Sequence, residues 1–362
     1  MERDEYWDIV KGLGIIAIVI GHTNSPLTPF VYMYHLALFF FISGFLYKDK
    51  YSIDFFSYWG SRMKRLWYPM VKYGVLFSIL HNLYVYMGLY SSGKPILGSG
   101  ILFSNYYTKK ELLFSIKDTV FMQSLEPMAG AMWFISPLLI AMLIFCAVRR
   151  ITINLKKYRE VIVGVVIVII YSFAIILIRE KQILPYHADL AMLVMPIIYS
   201  GFVAAKYWGK IRLNLVIALL SLFTVVGVNK IMGMNIELSI RQIISPEIFL
   251  LVSLCGIYLN LVLAKFIHLS KKISCVIAYI GNKSFHIMAL HFLMFKLVSL
   301  LYISFYDKPY YYISKFPTII DSGWWFIYLF FGIAGSILCT EMYAYIKRKY
   351  TLIYAKYYCK GW

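Results

Sequence analysis

The sequence predicts an all-α integral membrane protein of about ten transmembrane helices, and three observations carry that expectation. Of 362 residues, 61% are hydrophobic and 15% charged, where an ordinary soluble domain has about 25% charged. The apolar residues gather in runs approaching the ~20 that cross a bilayer core, and mean hydropathy is +0.72. The 36 Lys and Arg outnumber the 17 Asp and Glu, for a formal charge of +19, and most lie between the runs. In a soluble chain that excess would suggest nucleic acid. Here it reads as topology signals and contacts with membrane lipids, so no nucleic acid partner is expected. Soluble-enzyme, disordered, collagen-like and disulfide-scaffold classes are excluded.

Ten apolar windows follow one another at about residues 9–26, 30–47, 67–91, 132–148, 160–178, 188–205, 213–232, 246–266, 275–303 and 323–346. The ninth is long and carries Gly281-Asn282, where a break is expected. The connection of about residues 92–131 has room for folded structure. Lys and Arg are roughly twice as frequent in the even-numbered connections and the tail as in the odd ones. That bias places both termini in the cytosol, as an even number of spans requires. The 92–131 connection and the Tyr-rich 304–322 segment then face outward. One transmembrane unit, 1–346, is expected, followed by a basic cytosolic tail, 347–362. Asp4, Glu5 and Asp8 stand where a cleavable signal peptide would be basic, so none is expected. Cys146, Cys255, Cys275, Cys339 and Cys359 occur singly, without CxxC or metal-ligand spacing. Neither a disulfide nor a metal site is expected.

Polar groups inside a span are costly, and by default they mark function. The first window holds Asp8, Lys11 and His22 in DIVKGLGIIAIVIGH. At about 100° per residue, Lys11 and His22 lie some 20° apart and Asp8 joins the same stripe. At ~1.5 Å per residue the two are about 16 Å apart along the axis. A cation then sits at the cytosolic mouth and an imidazole well inside. That spacing suits a long phosphorylated cofactor, with Lys11 on a phosphate and His22 as general base at the reactive end. Asp8 would orient or neutralise Lys11. The competing reading is a snorkelling Lys11 paired with Asp8 and a hydrogen-bonded core His22.

DxxKGLGIIAIVIGH resembles the first-helix motif of the membrane-bound acyltransferase-3 family. Its usual form is arginine, ten residues, then histidine; here Lys11 stands for the arginine. The lysine variant is most similar to the fucose-4-O-acetylase-like branch of polysaccharide O-acetyltransferases. Four further blocks follow in family order. HLALFFFISGFLY gives His35, Phe41, Ser43 and Gly44, and SRMKRLWYP gives Arg62, Arg65 and Pro69. AMWFI gives Trp133 and Phe134. IGNKSFHIMALH gives Gly281, Asn282, Ser284 and His291, with His286 where tyrosine is more usual. The resemblance runs from about residue 3 to about residue 346. It implies an acyltransferase-3-like bundle with acetyl-CoA as cytosolic acyl donor and His22 as the essential histidine. It also implies an acetyl group passed to a hydroxyl of an extracytoplasmic or lipid-linked sugar, in a bacterial inner membrane.

Arg62 and Arg65 are candidates to clamp donor phosphates, with Lys64 off the matched positions; a positive-inside anchor is the alternative. His35, Trp133, Ser284 and His291 are candidates for the acceptor side. Ser43-Gly44 reads as close helix packing. Glu126, Asp189, Glu237 and Arg241 are acceptor-side polar groups among which the sequence does not choose. A transporter or flippase for lipid-linked saccharides is the rival class, since basic loops and a buried His/Lys pair suit a carrier equally.

Overall fold

Each of the ten apolar windows is helical in the computed structural model, which describes residues 5–93, 100–233, 236–243, 245–319 and 323–358. Asp4, Cys359 and the end of the tail lie outside those residues. The first window is α1 (Glu5–Gly21), and the second is split into α2 (Thr28–Tyr32) and α3 (His35–Phe45). Two short helices, α4 (Lys50–Ile53) and α5 (Phe55–Arg62), lead through a π turn at Met63–Trp67 into α6 (Tyr68–Tyr86). Then come α7 (Lys109–Val120), a 3-10 helix at Pro127–Phe134, α8 (Ile135–Ile151) and α9 (Arg159–Arg179). The sixth window is bent by 54° between α10 (Ala188–Leu193) and α11 (Met195–Tyr207). The rest are α12 (Leu215–Met232), α13 (Pro246–His268), α14 (Lys271–Asn282), α15 (Ser284–Phe305) and α16 (Trp325–Tyr358).

The protein is an all-α, multi-pass membrane protein. Among the described residues, six helices are long and apolar enough to cross a bilayer, seven when the bent pair counts as one. α1 misses that standard because it has 17 residues and carries Glu5, Asp8 and Lys11. Burial runs opposite to that of a soluble bundle whose rim is polar. α9 and α16 show Val165, Val168, Ile169, Phe326 and Phe330 to the outside, as lipid-facing helices do. α8 and α15 are mostly enclosed, and with α1 and α3 they form the centre.

Two helix crossings bring backbones into contact through glycine, the usual device where lipid gives no hydrophobic drive to association. Gly12 faces the Ile277 carbonyl, and Gly281 lies under the Asp8 carbonyl, so α14 rides directly on α1. Gly44 faces the Ile198 carbonyl and Gly201 the Phe41 carbonyl, which locks α3 to α11. The expected break therefore falls not at Gly281 but at Lys283, between α14 and α15. Gly281 is there to let α1 approach.

The 92–131 connection folds back on the bundle. α7 begins with Thr108 and Glu111 capping each other and runs antiparallel along α6. Tyr107 bonds Asn82, Ser115 bonds Ser78, and the Trp67 indole donates to the Val120 carbonyl at 2.9 Å. The chain then returns to Glu126, which receives His81 Nδ1 at 3.0 Å and the Tyr90 hydroxyl at 2.5 Å. His81 Nε2 lies 3.0 Å from the Asn105 carbonyl, and Tyr107 stacks on the ring at 3.4 Å. This fully bonded cluster fixes the start of Pro127–Phe134, the segment that carries Trp133. At the other end of α8, buried Arg149 bonds Asp49 and Glu160 at 2.6 and 2.9 Å. The predicted tail boundary at residue 346 falls inside α16, which continues to Tyr358.

Candidate active site

Two cavities lie along the α1 stripe. The first, of about 280 Å³, is lined by Lys11, Arg62, Arg65, Ser43 and Ser284, with Ile15, Phe39, Leu138 and Met288 as apolar walls. Lys11 Nζ donates to Asp8 Oδ1 at 3.0 Å, and the Asp8 side chain is almost wholly buried. Arg62 stands 5.1 Å over the Tyr58 ring, on the last turn of α5. Arg65 follows within the π turn, a wider winding that recurs at functional sites. Three cations thus converge from α1 and from the distant α5 and π turn, with the Asp8 carboxylate bonded to one of them. Lys64 does not line this space.

The second cavity, of about 370 Å³, is lined by His22, Trp133, His187, Glu237, Ser239, Phe292 and Phe316. His22 is the first residue past the end of α1, its backbone N–H still bonded to the Val19 carbonyl at 3.0 Å. Its ring stacks on His291 at 5.4 Å and meets the edge of Phe292 at 4.9 Å. His291 Nδ1–H donates to the Ile287 carbonyl at 3.0 Å. That leaves Nε2 unprotonated, and it is buried with no partner among the described residues. A second imidazole with a free lone pair therefore backs the first.

The predicted residues divide between these spaces. Lys11, Arg62, Arg65 and Ser284 line the first cavity, His22 and Trp133 the second, and His291 stands behind His22. Ser284 and His291 share a helix, but their separation of about 10 Å along α15 puts them at different sites. His35 lines neither cavity. It is buried, with Nδ1 donating to the Val31 carbonyl at 2.9 Å, and the Tyr32 ring lies within 4.9 Å of it and 6.3 Å of His22. His286 shares a 2.8 Å hydrogen bond with the Tyr73 hydroxyl, and Lys283 pairs with Glu341.

Of the four undecided acceptor-side groups, only Glu237 lines the His22 cavity. Glu126 is taken up by His81, and Asp189 pairs with Arg241 at 3.0 Å. Two further side chains gave no sign of a role in the sequence. His187 precedes α10 and lines the cavity through a left-handed turn. Lys296, buried in α15, donates to the Ile313 and Lys315 carbonyls at 2.9 and 2.7 Å and lies 5.3 Å from the Phe316 ring. It thereby ties down the loop that closes one wall. A larger, open depression of about 720 Å³ at Tyr6, Trp208, Arg212 and Lys265 holds none of these residues.

A sequence model of the acyltransferase-3 family, described as an acyltransferase domain, matches residues 4–341. The chain belongs to this family. No curated protein and no solved structure matches it. Membership makes the protein a membrane acyltransferase, which decides against carriage of saccharides as its chemistry.

Proposed function

We propose that the protein is an O-acetyltransferase that moves an acetyl group from cytosolic acetyl-CoA to a hydroxyl of an extracytoplasmic or lipid-linked sugar, in a bacterial inner membrane. One observation carries this reading: the cation-lined cavity and the histidine-lined cavity sit at opposite ends of the Lys11–His22 stripe. In it, Lys11, Arg62 and Arg65 hold the phosphates of CoA, while Asp8 keeps Lys11 in place. The ~16 Å from Lys11 to His22 is comparable to an extended pantetheine arm, so the thioester reaches His22 while the nucleotide stays behind. His22 takes the proton of the acceptor hydroxyl as its oxygen attacks the thioester carbon. The C–O bond forms, the C–S bond breaks, and the proton passes to the departing thiolate. Glu237 accepts from neighbouring acceptor hydroxyls, and the Trp133 face stacks on the sugar ring.

The test uses inverted membrane vesicles given acetyl-CoA labelled in the acetyl group. Label entering membrane glycan is the expected result. Lys11→Ala and Arg62→Ala are each expected to raise the KM for acetyl-CoA by about 10- to 100-fold. Each removes one charge-assisted bond worth ~1.5–3 kcal/mol, and kcat is expected to change little. A failure of wild type to label glycan or release CoA, with its native lipids present, would count against the reading. An unchanged KM in both variants would remove the phosphates from that cavity.

A further inference from the structure

We propose that His187 is a second catalytic residue, a neutral imidazole whose Nε2–H donates to the carbonyl oxygen of the acyl group as negative charge builds there. This rests on the acetyl-transfer reading above and adds to it the group that stabilises the tetrahedral oxygen. Tyr186 and His187 have φ of 59° and 56°, two consecutive left-handed residues, neither of them glycine. Such a turn is strained and persists only when its surroundings over-determine it. Here they do. The Ser136 hydroxyl donates to the Tyr186 carbonyl at 2.8 Å, and Asp189 Oδ1 accepts the Leu184 N–H at 3.3 Å.

The same carboxylate, wholly buried, receives Arg241 Nε on Oδ2 at 3.0 Å and Nη2 on Oδ1 at 3.2 Å. Nη2 also points at His187 Nδ1, 2.9 Å away. A guanidinium has only donors. His187 Nδ1 must therefore be the acceptor, and the proton of the neutral ring is on Nε2. This tautomer is the reverse of the one that the Ile287 carbonyl imposes on His291. The two histidines, one in the cavity with His22 and one stacked behind His22, are thus held in opposite states, one able to donate and one able to accept.

His187 shares its cavity with His22, Glu237 and Trp133. It cannot serve as the base while Arg241 occupies its lone pair. A positive group on Nδ1 draws electron density from the ring and makes Nε2–H the better donor. Glu237 is unsuited to meet a developing oxyanion, and the Ser239 hydroxyl is spent on Glu237. A preorganised donor aimed at developing charge strengthens in the transition state without aiding ground-state binding.

Transfer of label from acetyl-CoA to membrane glycan in inverted vesicles, compared among wild type, His187→Ala and His187→Gln, tests the role. Loss of one such donor costs about 10²–10³ in kcat. We expect His187→Ala to lose at least about 100-fold in kcat, with the KM for acetyl-CoA within about twofold. His187→Gln, which restores an N–H donor, should recover part of that loss. A purely structural role would lower the thermal midpoint of the purified protein and would not be rescued in this way. Separately, ¹⁵N shifts of a His187-assigned imidazole should show protonated Nε2 and bare Nδ1, and Arg241→Met should abolish that preference. Active wild type with undiminished kcat in His187→Ala, or a ring protonated on Nδ1, would overturn the proposal. Wild type that transfers no acetyl would instead overturn the acetyl-transfer reading, and this role with it.

Discussion

His22→Ala should abolish acyl transfer almost completely while leaving the protein folded and able to bind its donor. A positioned general base contributes about 10²–10⁴-fold, and a loss of ~10³ is expected here. The ring lines the cavity that also holds Trp133 and Glu237, held by stacking on His291 and by Phe292. Among the described residues no hydrogen bond reaches its nitrogens, so removal strands no buried partner. Lys11, Arg62 and Arg65 line a separate cavity, so under the proposed reaction the KM for acetyl-CoA should stay near that of wild type. Initial rates of label transfer at several donor concentrations separate the two effects. A variant that kept a third or more of the wild-type kcat would take His22 out of the chemistry.

Gly44→Ala should give one of the largest stability losses that a single added methyl group can cause in this protein. A Cβ there would overlap the Ile198 carbonyl, and a backbone atom cannot rotate aside as a side chain can. Gly201 is in the same position against the Phe41 carbonyl, so α3 and α11 must separate along the whole crossing. Overpacking costs typically ~1–3 kcal/mol, occasionally more, and this site should lie at the upper end. Gly60→Ala is the control within the same sequence. A Cβ at Gly60 meets nothing within 4 Å, and alanine favours the α5 helix by roughly 0.5–1 kcal/mol. Thermal unfolding in detergent should show a large drop for the first variant and none for the second. Equal midpoints would mean that the crossing yields more easily than its geometry implies.

The stripe along α1 was legible in the sequence because it is periodic. Asp8 and Lys11 lie on α1 and His22 just past its end, and helical arithmetic alone puts them on one stripe. Arg62 and Arg65 were found as a cluster at the head of a span. Their convergence with Lys11 needed the fold. The cavity around His22 was far less legible. Trp133 was singled out, but Glu237 stood among four polar groups that the sequence did not rank, and nothing local marked His187. Its meaning lies in Arg241, which reaches it across 54 residues, and no period connects the two. The Gly281 break was misplaced for a related reason. A glycine in a helix reads as a weakness until the neighbouring backbone it admits is known. Ser284 and His291 were matched on angle, where distance along the axis decided.

The wall between the two cavities matters beyond the reaction. Phe134 and Met288 face the cation side, while their neighbours Trp133 and Phe292 face the histidine side. Between Lys11 and His22 the buried side chains of α1 are Ile15, Ala17, Ile18 and Val19, with glycine at the remaining buried positions. The proposed transfer needs these two chambers joined for a slim thioester arm yet closed to hydrated ions, and an apolar wall suits both demands. Met288→Ala should therefore announce itself first as a proton leak in sealed vesicles, read by a pH-sensitive dye, even where catalysis survives.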